Sequence, residues 1–168
     1  MKLPSFLKIS KWLPTLILFL VVFTLANIWS TRHHPDGPAP SFNALDLNGT
    51  AHLFEFKDNH KPILLHFFAT WCPICELEND TLNSLSEDHN LIVVAMQSGN
   101  ASKVKEYQQK HNLKMNIYND ESGEISKLFK VNGVPTSFII NPQGNISSST
   151  IGYASELGLR FRLWLSQF

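Results

Sequence analysis

Apolar residues occur along this chain in short blocks separated by polar and turn-forming stretches, and two of the blocks stand apart. The first, over 12–29, contains no charged side chain. As a helix rising about 1.5 Å per residue it would span roughly 27 Å, close to the thickness of a bilayer core. The second, ILLHFF over 63–68, is broken only by His66, the pattern of a strand covered on both faces. A similar block at 91–96 predicts a second buried strand. A strand over 51–56 follows the Asn48-Gly49 turn. A helix is expected over 72–86, with Pro73 in its first turn, where a missing N–H costs nothing. Downstream the pattern predicts a helix over 102–111 capped by Ser102, a strand over 115–118 and a helix over 121–130. Strands over 136–140 and 146–151 flank the turn residues Asn141-Pro142-Gln143-Gly144-Asn145 and read as a hairpin. A helix over 155–165, capped by Ser155, closes the chain. This alternation predicts an α/β domain with parallel central strands and an antiparallel hairpin at one edge.

The apolar run sets the domain organisation. Lys2, Lys8 and Lys11 precede it and Trp12 and Trp29 bound it, the arrangement of a transmembrane helix with a cytoplasmic N-terminus and interfacial aromatic anchors. A cleaved signal peptide is the competing reading, with Thr24 and Ala26 as the small residues of a cleavage site. Asn27, Ile28 and Trp29 prolong the run beyond that site and favour a retained anchor; a buried soluble helix ranks below both. No cysteine follows the run, so lipoprotein processing is excluded. Either leading reading exports the remainder to an oxidising compartment. The expected organisation is therefore an anchor over 1–30, a proline-rich linker over 31–40 that suits neither a helix interior nor a sheet centre, and a folded domain over 41–168.

Composition narrows the function classes. Hydrophobic residues make up 43% and charged residues 17%, as in a folded protein. Lys and Arg number 14 against 14 Asp and Glu, scattered along the chain. A nucleic-acid partner is excluded on that ground, since phosphate recognition needs a basic face.

The chain has two cysteines, Cys72 and Cys75, in Trp71-Cys72-Pro73-Ile74-Cys75. Such a pair can close and reopen one small disulfide, carrying two electrons with no metal or organic cofactor. Inert core packing and metal binding are the alternatives. A closed zinc site takes four ligands; His33 and His34 could contribute, but in a proline-rich linker they read as solvated residues, so no metal site is expected. At a helix start, Cys72 meets the positive end of the dipole and free N–H groups, which favour the nucleophilic thiolate. Cys75, one turn inside, is expected to be shielded. Cys72 then attacks a substrate disulfide and Cys75 resolves the mixed disulfide.

The segment Phe67-Phe68-Ala69-Thr70-Trp71-Cys72-Pro73-Ile74-Cys75 resembles the active-site segment of the thioredoxin superfamily, and more narrowly its membrane-anchored periplasmic TlpA-like group, which includes cytochrome c maturation thioredoxins and a copper-sensitivity suppressor branch. A second matching motif is Gly133-Val134-Pro135-Thr136-Ser137-Phe138. The resemblance implies a thioredoxin-like fold with a central mixed sheet flanked by helices. It also implies a cis Pro135 lying against the disulfide, substrate pairing at the backbone of Val134 with Thr136 beside it, and a surface position for Trp71. Glu78 falls where many TlpA-like proteins carry a glutamate; its default reading is an exposed early-helix acid, with tuning of Cys75 as the alternative. His66 departs from the pattern, since thioredoxins usually carry a buried acid there. A core histidine with a satisfied hydrogen bond and a proton relay for Cys75 are both open. Phe54, Phe56, Phe67, Phe68, Phe129 and Phe138 read as core.

These readings describe a membrane-tethered thiol–disulfide oxidoreductase in the periplasm, acting on exported proteins with disulfides. By resemblance it would be recharged by a membrane electron donor of the DsbD type at the inner membrane, which favours reduction. An oxidase or isomerase using the same chemistry, and a Cu(I) chaperone using both thiols, are the rivals.

Overall fold

The apolar run at 63–68 lies in the middle of an eight-stranded mixed sheet. A computed structural model describes residues 14, 17, 18, 21, 22, 37–57 and 59–168. The chain divides into two compact units, 1–33 and 34–168. In the first, the described residues Pro14, Ile17, Leu18, Val21 and Val22 are helical and exposed. The anchor expected over 12–29 falls mostly outside the described residues, among which no helix is long and apolar enough to cross a membrane.

The second unit runs β1 (Gly37–Pro38), β2 (Phe42–Asp46), β3 (Ala51–Phe54), β4 (Ile63–Phe68), α1 (Pro73–Glu76), α2 (Asn79–Ser86), β5 (Asn90–Met96), α3 (Ala101–Lys110), β6 (Ile117–Asp120), α4 (Glu124–Leu128), β7 (Thr136–Ile140), β8 (Asn145–Ile151) and α5 (Glu156–Leu165). The strand order is β1-β8-β7-β4-β5-β6-β2-β3. β4, β5 and β6 are parallel, and β7–β8 form the expected antiparallel hairpin. A second antiparallel pair, β2–β3, extends the opposite edge through β6.

β4 is buried along its whole length because it is paired on both sides, parallel to β5 and antiparallel to β7. Its side chains alternate between two cores. Leu65 and Phe67 join Phe129, Phe138 and Phe42 on one face. Leu64 and Phe68 face Cys75, Leu82, Leu85, Leu159 and Leu163 on the other. The period-two geometry of a strand puts His66 on the face of Leu64 and Phe68, the side that carries the cysteines.

Several expectations are corrected. The single helix over 72–86 is two helices, α1 and α2, separated by Leu77 and Glu78. Leu77 N–H reaches the Ile74 carbonyl and Glu78 N–H the Cys75 carbonyl, tight three-residue closures that end α1 before the Glu78 carbonyl accepts from Leu82 N–H. The cap of α3 is Asn100, whose side chain accepts from Lys103 N–H, rather than Ser102. β6 begins two residues later than expected, and α4 is shorter because residues 121–123 form a turn ending in left-handed Gly123. Phe54 is only partly buried, at the edge strand β3. β2 has no counterpart in the pattern reading: only Phe42 and Ala44 point inward, and a strand with one large buried side chain leaves a weak signal. Within the proline-rich stretch Gly37 and Pro38 pair with β8 at the sheet edge, where a residue without an N–H is tolerated.

Candidate active site

Cys72 caps α1. Its backbone is extended and its sulfur accepts a hydrogen bond from Cys75 N–H at 3.3 Å. Pro73 takes the first helical position, so the turn closes without sacrificing a donor. The two cysteines form a disulfide across Cα atoms 5.4 Å apart. Cys72 keeps 5% of its surface in contact with solvent and Cys75 1%, so approach to the disulfide is from the Cys72 side.

Three elements frame that approach. Trp71 is exposed, and its indole N–H donates to the Gln97 carbonyl at 3.1 Å. The Thr70 N–H donates to Ser98 Oγ, fixing the strand-to-helix turn to the loop after β5. From the other side comes the segment before β7. The Val134–Pro135 peptide is cis, and the Val134 carbonyl oxygen lies 3.6 Å from Cys72 Sγ. A disulfide sulfur has no hydrogen to give, so this is a contact that becomes a hydrogen bond when Cys72 is a thiol. Pro135 is buried and its carbonyl accepts from Gly152 N–H; Thr136 is also buried, and its hydroxyl donates to the Gly133 carbonyl. The Thr136 side chain therefore braces the loop. Ile74 and Leu77 add exposed apolar surface beside the disulfide.

Beneath α1 lies a buried polar pair. Glu78 is 1% exposed, so the expectation of an exposed early-helix acid is wrong. The break between α1 and α2 turns its side chain inward, where Oε1 accepts from Ala154 N–H at 2.5 Å. Its Oε2 faces His66 Nε2 at 3.8 Å, and neither atom has a hydrogen-bond partner. His66 is fully buried, with Nδ1 2.9 Å from Ser137 Oγ on the adjacent strand. Desolvation pushes the His66 imidazole down from 6.5 to about 4. It pushes the Glu78 carboxyl up from 4.5 to about 7, against the pull of the Ala154 N–H. The structure thus gathers Trp71, Cys72, Pro73, Cys75, Val134 and Pro135 around one disulfide, with His66 and Glu78 as a pair on its inner side.

Ser137 and Ala154 are members of this site that the pattern reading did not single out. Ser137 had a signal: it is a polar residue in a buried strand, directly across the ladder from His66. Ala154 contributes only a backbone N–H and had none. Among the described residues no cluster of three or more His, Cys, Asp and Glu side chains gathers that could hold a metal ion.

The fold that carries this disulfide is matched by known proteins. The model of the AhpC/TSA family matches residues 35–149, more than half of the chain. The chain belongs to the AhpC/TSA family. It is 32% identical over 166 residues to a thioredoxin-like protein of Haemophilus influenzae, covering 96% of this chain and 99% of that one. It is 31% identical over 127 residues to the thiol:disulfide interchange protein DsbE of Pseudomonas fluorescens, covering 75% and 71% of the two chains. Its fold matches the crystal structure of a DsbE-like protein from Chlorobium tepidum with a TM-score of 0.69 at 19% identity, over 79% of this chain and 97% of that one. The thioredoxin-like fold and the CxxC pair together make this family member a thiol–disulfide oxidoreductase of the DsbE/ResA type.

Proposed function

We propose that this oxidoreductase is tethered to the inner membrane by its first 30 residues, with a linker over 31–40, and that its catalytic domain works in the periplasm as a reductase of exported proteins. The observation that carries the reading is the position of Cys72, the more accessible of the two cysteines, bounded by the Val134 carbonyl 3.6 Å away and by exposed Trp71, Ile74 and Leu77. An extended polypeptide can lie along the backbone of Val134 and rest on that apolar rim while its disulfide meets Cys72.

The reaction balances within the site. Cys72 thiolate attacks one sulfur of the substrate disulfide, the other sulfur leaves as a thiolate and takes a proton from water, and a mixed disulfide remains on Cys72. Cys75 then loses its proton and attacks Cys72 Sγ, releasing the second substrate thiolate and leaving the Cys72–Cys75 disulfide. The substrate gains two electrons and the enzyme loses two. A membrane electron donor of the DsbD type would restore the dithiol by the reverse exchange, because an oxidising compartment supplies no reductant. Ionised Glu78 serves as the proton acceptor for Cys75, with His66 beside its carboxyl.

Trapping with Cys75→Ala tests the proposal. The variant, expressed with its own N-terminus, is expected to accumulate mixed disulfides with exported proteins, and those disulfides to shorten in lifetime when Cys75 is restored. Recovery of no disulfide-linked partner from exported, folded Cys75→Ala protein would overturn it. A potential as oxidising as that of a disulfide oxidase, measured against glutathione, would reverse the assigned direction.

A further inference from the structure

α5 has two apolar faces. Leu159 and Leu163 are buried against the core that holds Cys75 and Leu82. On the opposite side Leu157, Phe161, Trp164 and Phe168 are exposed by 79, 58, 53 and 92%. Their spacing of four, three and four residues puts them in one stripe along the helix axis and its last turn. The rings of Phe161 and Trp164 stack at 6.0 Å, and those of Trp164 and Phe168 meet edge to face at 5.4 Å. Core packing explains the inner leucines and leaves this outer stripe, a continuous apolar patch, without a role.

The charged side chains of α5 are engaged by their neighbours, Arg160 with Asp88 as well as Glu156. Glu156, the acid of the helix, is engaged by Ser84 Oγ and Arg160 Nε. Arg162 donates to the Ser149 carbonyl and to Thr150 Oγ1, and among the described residues no carboxylate pairs with it. An aromatic stripe left clear of these charges suits the interface of a bilayer, where Trp and Phe lie at headgroup depth.

The path of the chain supplies the occupant. Seven residues, 30–36, separate the apolar run from Gly37. Fully extended, they reach about 25 Å. Gly37 enters the sheet opposite Ile146, and Ala39 N–H bonds the Gly144 carbonyl. The C-terminal end of α5 lies at the same pole, where Leu163 and Gln167 line a cleft with Pro142. The point where the chain enters the sheet at Gly37 and the C-terminal end of the stripe thus belong to one end of the domain.

We propose that the outer face of α5, through Leu157, Phe161, Trp164 and Phe168, docks on the surface of the bilayer that holds the N-terminal anchor. The proposal rests on the anchor reading. With α5 flat on the surface, the disulfide sits beside the helix N-terminus, since Ala154, one residue before the Ser155 cap, binds Glu78. The site is then held along the membrane plane, within reach of a membrane-embedded electron donor.

Full-length protein reconstituted in vesicles of phosphatidylcholine and phosphatidylglycerol, with and without bromine on the acyl chains, provides the test. One variant (Trp12→Phe, Trp29→Phe, Trp71→Phe) keeps Trp164 as the sole tryptophan, and a second (Trp12→Phe, Trp71→Phe, Trp164→Phe) keeps Trp29. Docking predicts that brominated lipid removes most of the emission of both. Quenching of Trp29 with none of Trp164 overturns docking and leaves the anchor intact. Failure to quench either overturns the anchor reading and docking with it. Trp164 emission shielded from water but unquenched by brominated lipid, with dimers in the same vesicles, assigns the stripe to a second copy and also overturns the proposal. Leu157→Ser with Phe161→Ser, at exposed positions, is expected to keep the fold and to weaken Trp164 quenching.

Discussion

His66 Nε2 and Glu78 Oε2 face each other across 3.8 Å inside the domain, with no hydrogen-bond partner for either. Two buried acceptors left bare would each cost the desolvation of an unsatisfied group, on the order of 1–3 kcal/mol. Protonation of the Glu78 carboxyl removes the larger cost of burying a charge there. Burial gives the same answer from the other direction, since it holds Glu78 protonated up to about 7 and His66 neutral down to about 4. Between those limits the pair is a carboxylic acid beside a neutral imidazole, uncharged and with one titrating proton.

This pairing predicts pH behaviour that the single variants expose. The raised Glu78 carboxyl adds stability that is complete below about 4.5 and is lost as pH rises through about 7. The lowered His66 adds stability that is present above 6.5 and lost as pH falls through about 4. Between about 4.5 and 6.5 the two slopes oppose, and the oxidised wild type gains or loses little from the pair. Glu78→Gln leaves His66 alone, so its stability should rise with pH across that window; His66→Asn leaves Glu78, so its stability should fall. Each change amounts to roughly 3 kcal/mol at most. Urea midpoints of the three proteins across the window check this, and slopes of the same sign in both variants would contradict it.

How far the site could be read without coordinates depended on the kind of signal each residue leaves. Cys72, Cys75 and Pro73 announce themselves by type and spacing, and the buried run at β4 by its unbroken hydrophobicity. Glu78 was misread because helical periodicity over 72–86 gave no warning of the break at Leu77. The break turns the Glu78 side chain inward, where a tertiary bond from the Ala154 N–H to Oε1, between residues far apart in sequence, holds it. β2 was missed for a related reason: its place is fixed by pairing to β3 and β6 more than by its own side chains.

Asp120 carries a prediction about the frame rather than the chemistry. Its buried carboxylate closes β6 and starts α4 by accepting from Ile125 N–H, Ser126 N–H and Ser126 Oγ–H at 3.1, 2.8 and 2.6 Å. Asp120→Ala strands three donors in a dry site and is expected to cost about 3 kcal/mol. Gly144→Ala should also be costly, because Gly144 has φ +83° and a Cβ there would fall 2.3 Å from the Phe56 carbonyl oxygen. Denaturant unfolding measures both, and a loss below about 0.5 kcal/mol in either would show that the surroundings relax.

Cys72 should be the reactive thiol of the reduced enzyme. Its sulfur sits at the N-terminus of α1 and accepts from Cys75 N–H, two stabilising contacts for a thiolate. Cys75 is the more deeply buried. Iodoacetamide is therefore expected to alkylate Cys72 first, with a thiol pKa below the ordinary value of about 8.5. Mass mapping after brief exposure distinguishes the two cysteines, and preferential labelling of Cys75 would reverse the assignment of attacker and resolver.

The resolving step is where the buried pair should be felt kinetically. Cys75 is one turn before Glu78 and lies on the core face that His66 shares through β4. Its proton has to leave before its sulfur can attack Cys72, and the ionised fraction of Glu78 is the acceptor that grows through about pH 7. A thionitrobenzoate adduct placed on Cys72 reports this step directly, because attack by Cys75 releases the coloured thiolate. In the wild type the release rate should climb with pH through about 7. Glu78→Gln should flatten that climb and slow release by about tenfold or more, a modest share of what general base catalysis supplies. His66→Ala opens the space beside the Glu78 carboxyl and relieves its desolvation, which favours the carboxylate and moves the climb to lower pH. A structural role alone would lower stability and leave the midpoint of the climb in place, so an unchanged pH profile in His66→Ala would remove His66 from the proton path.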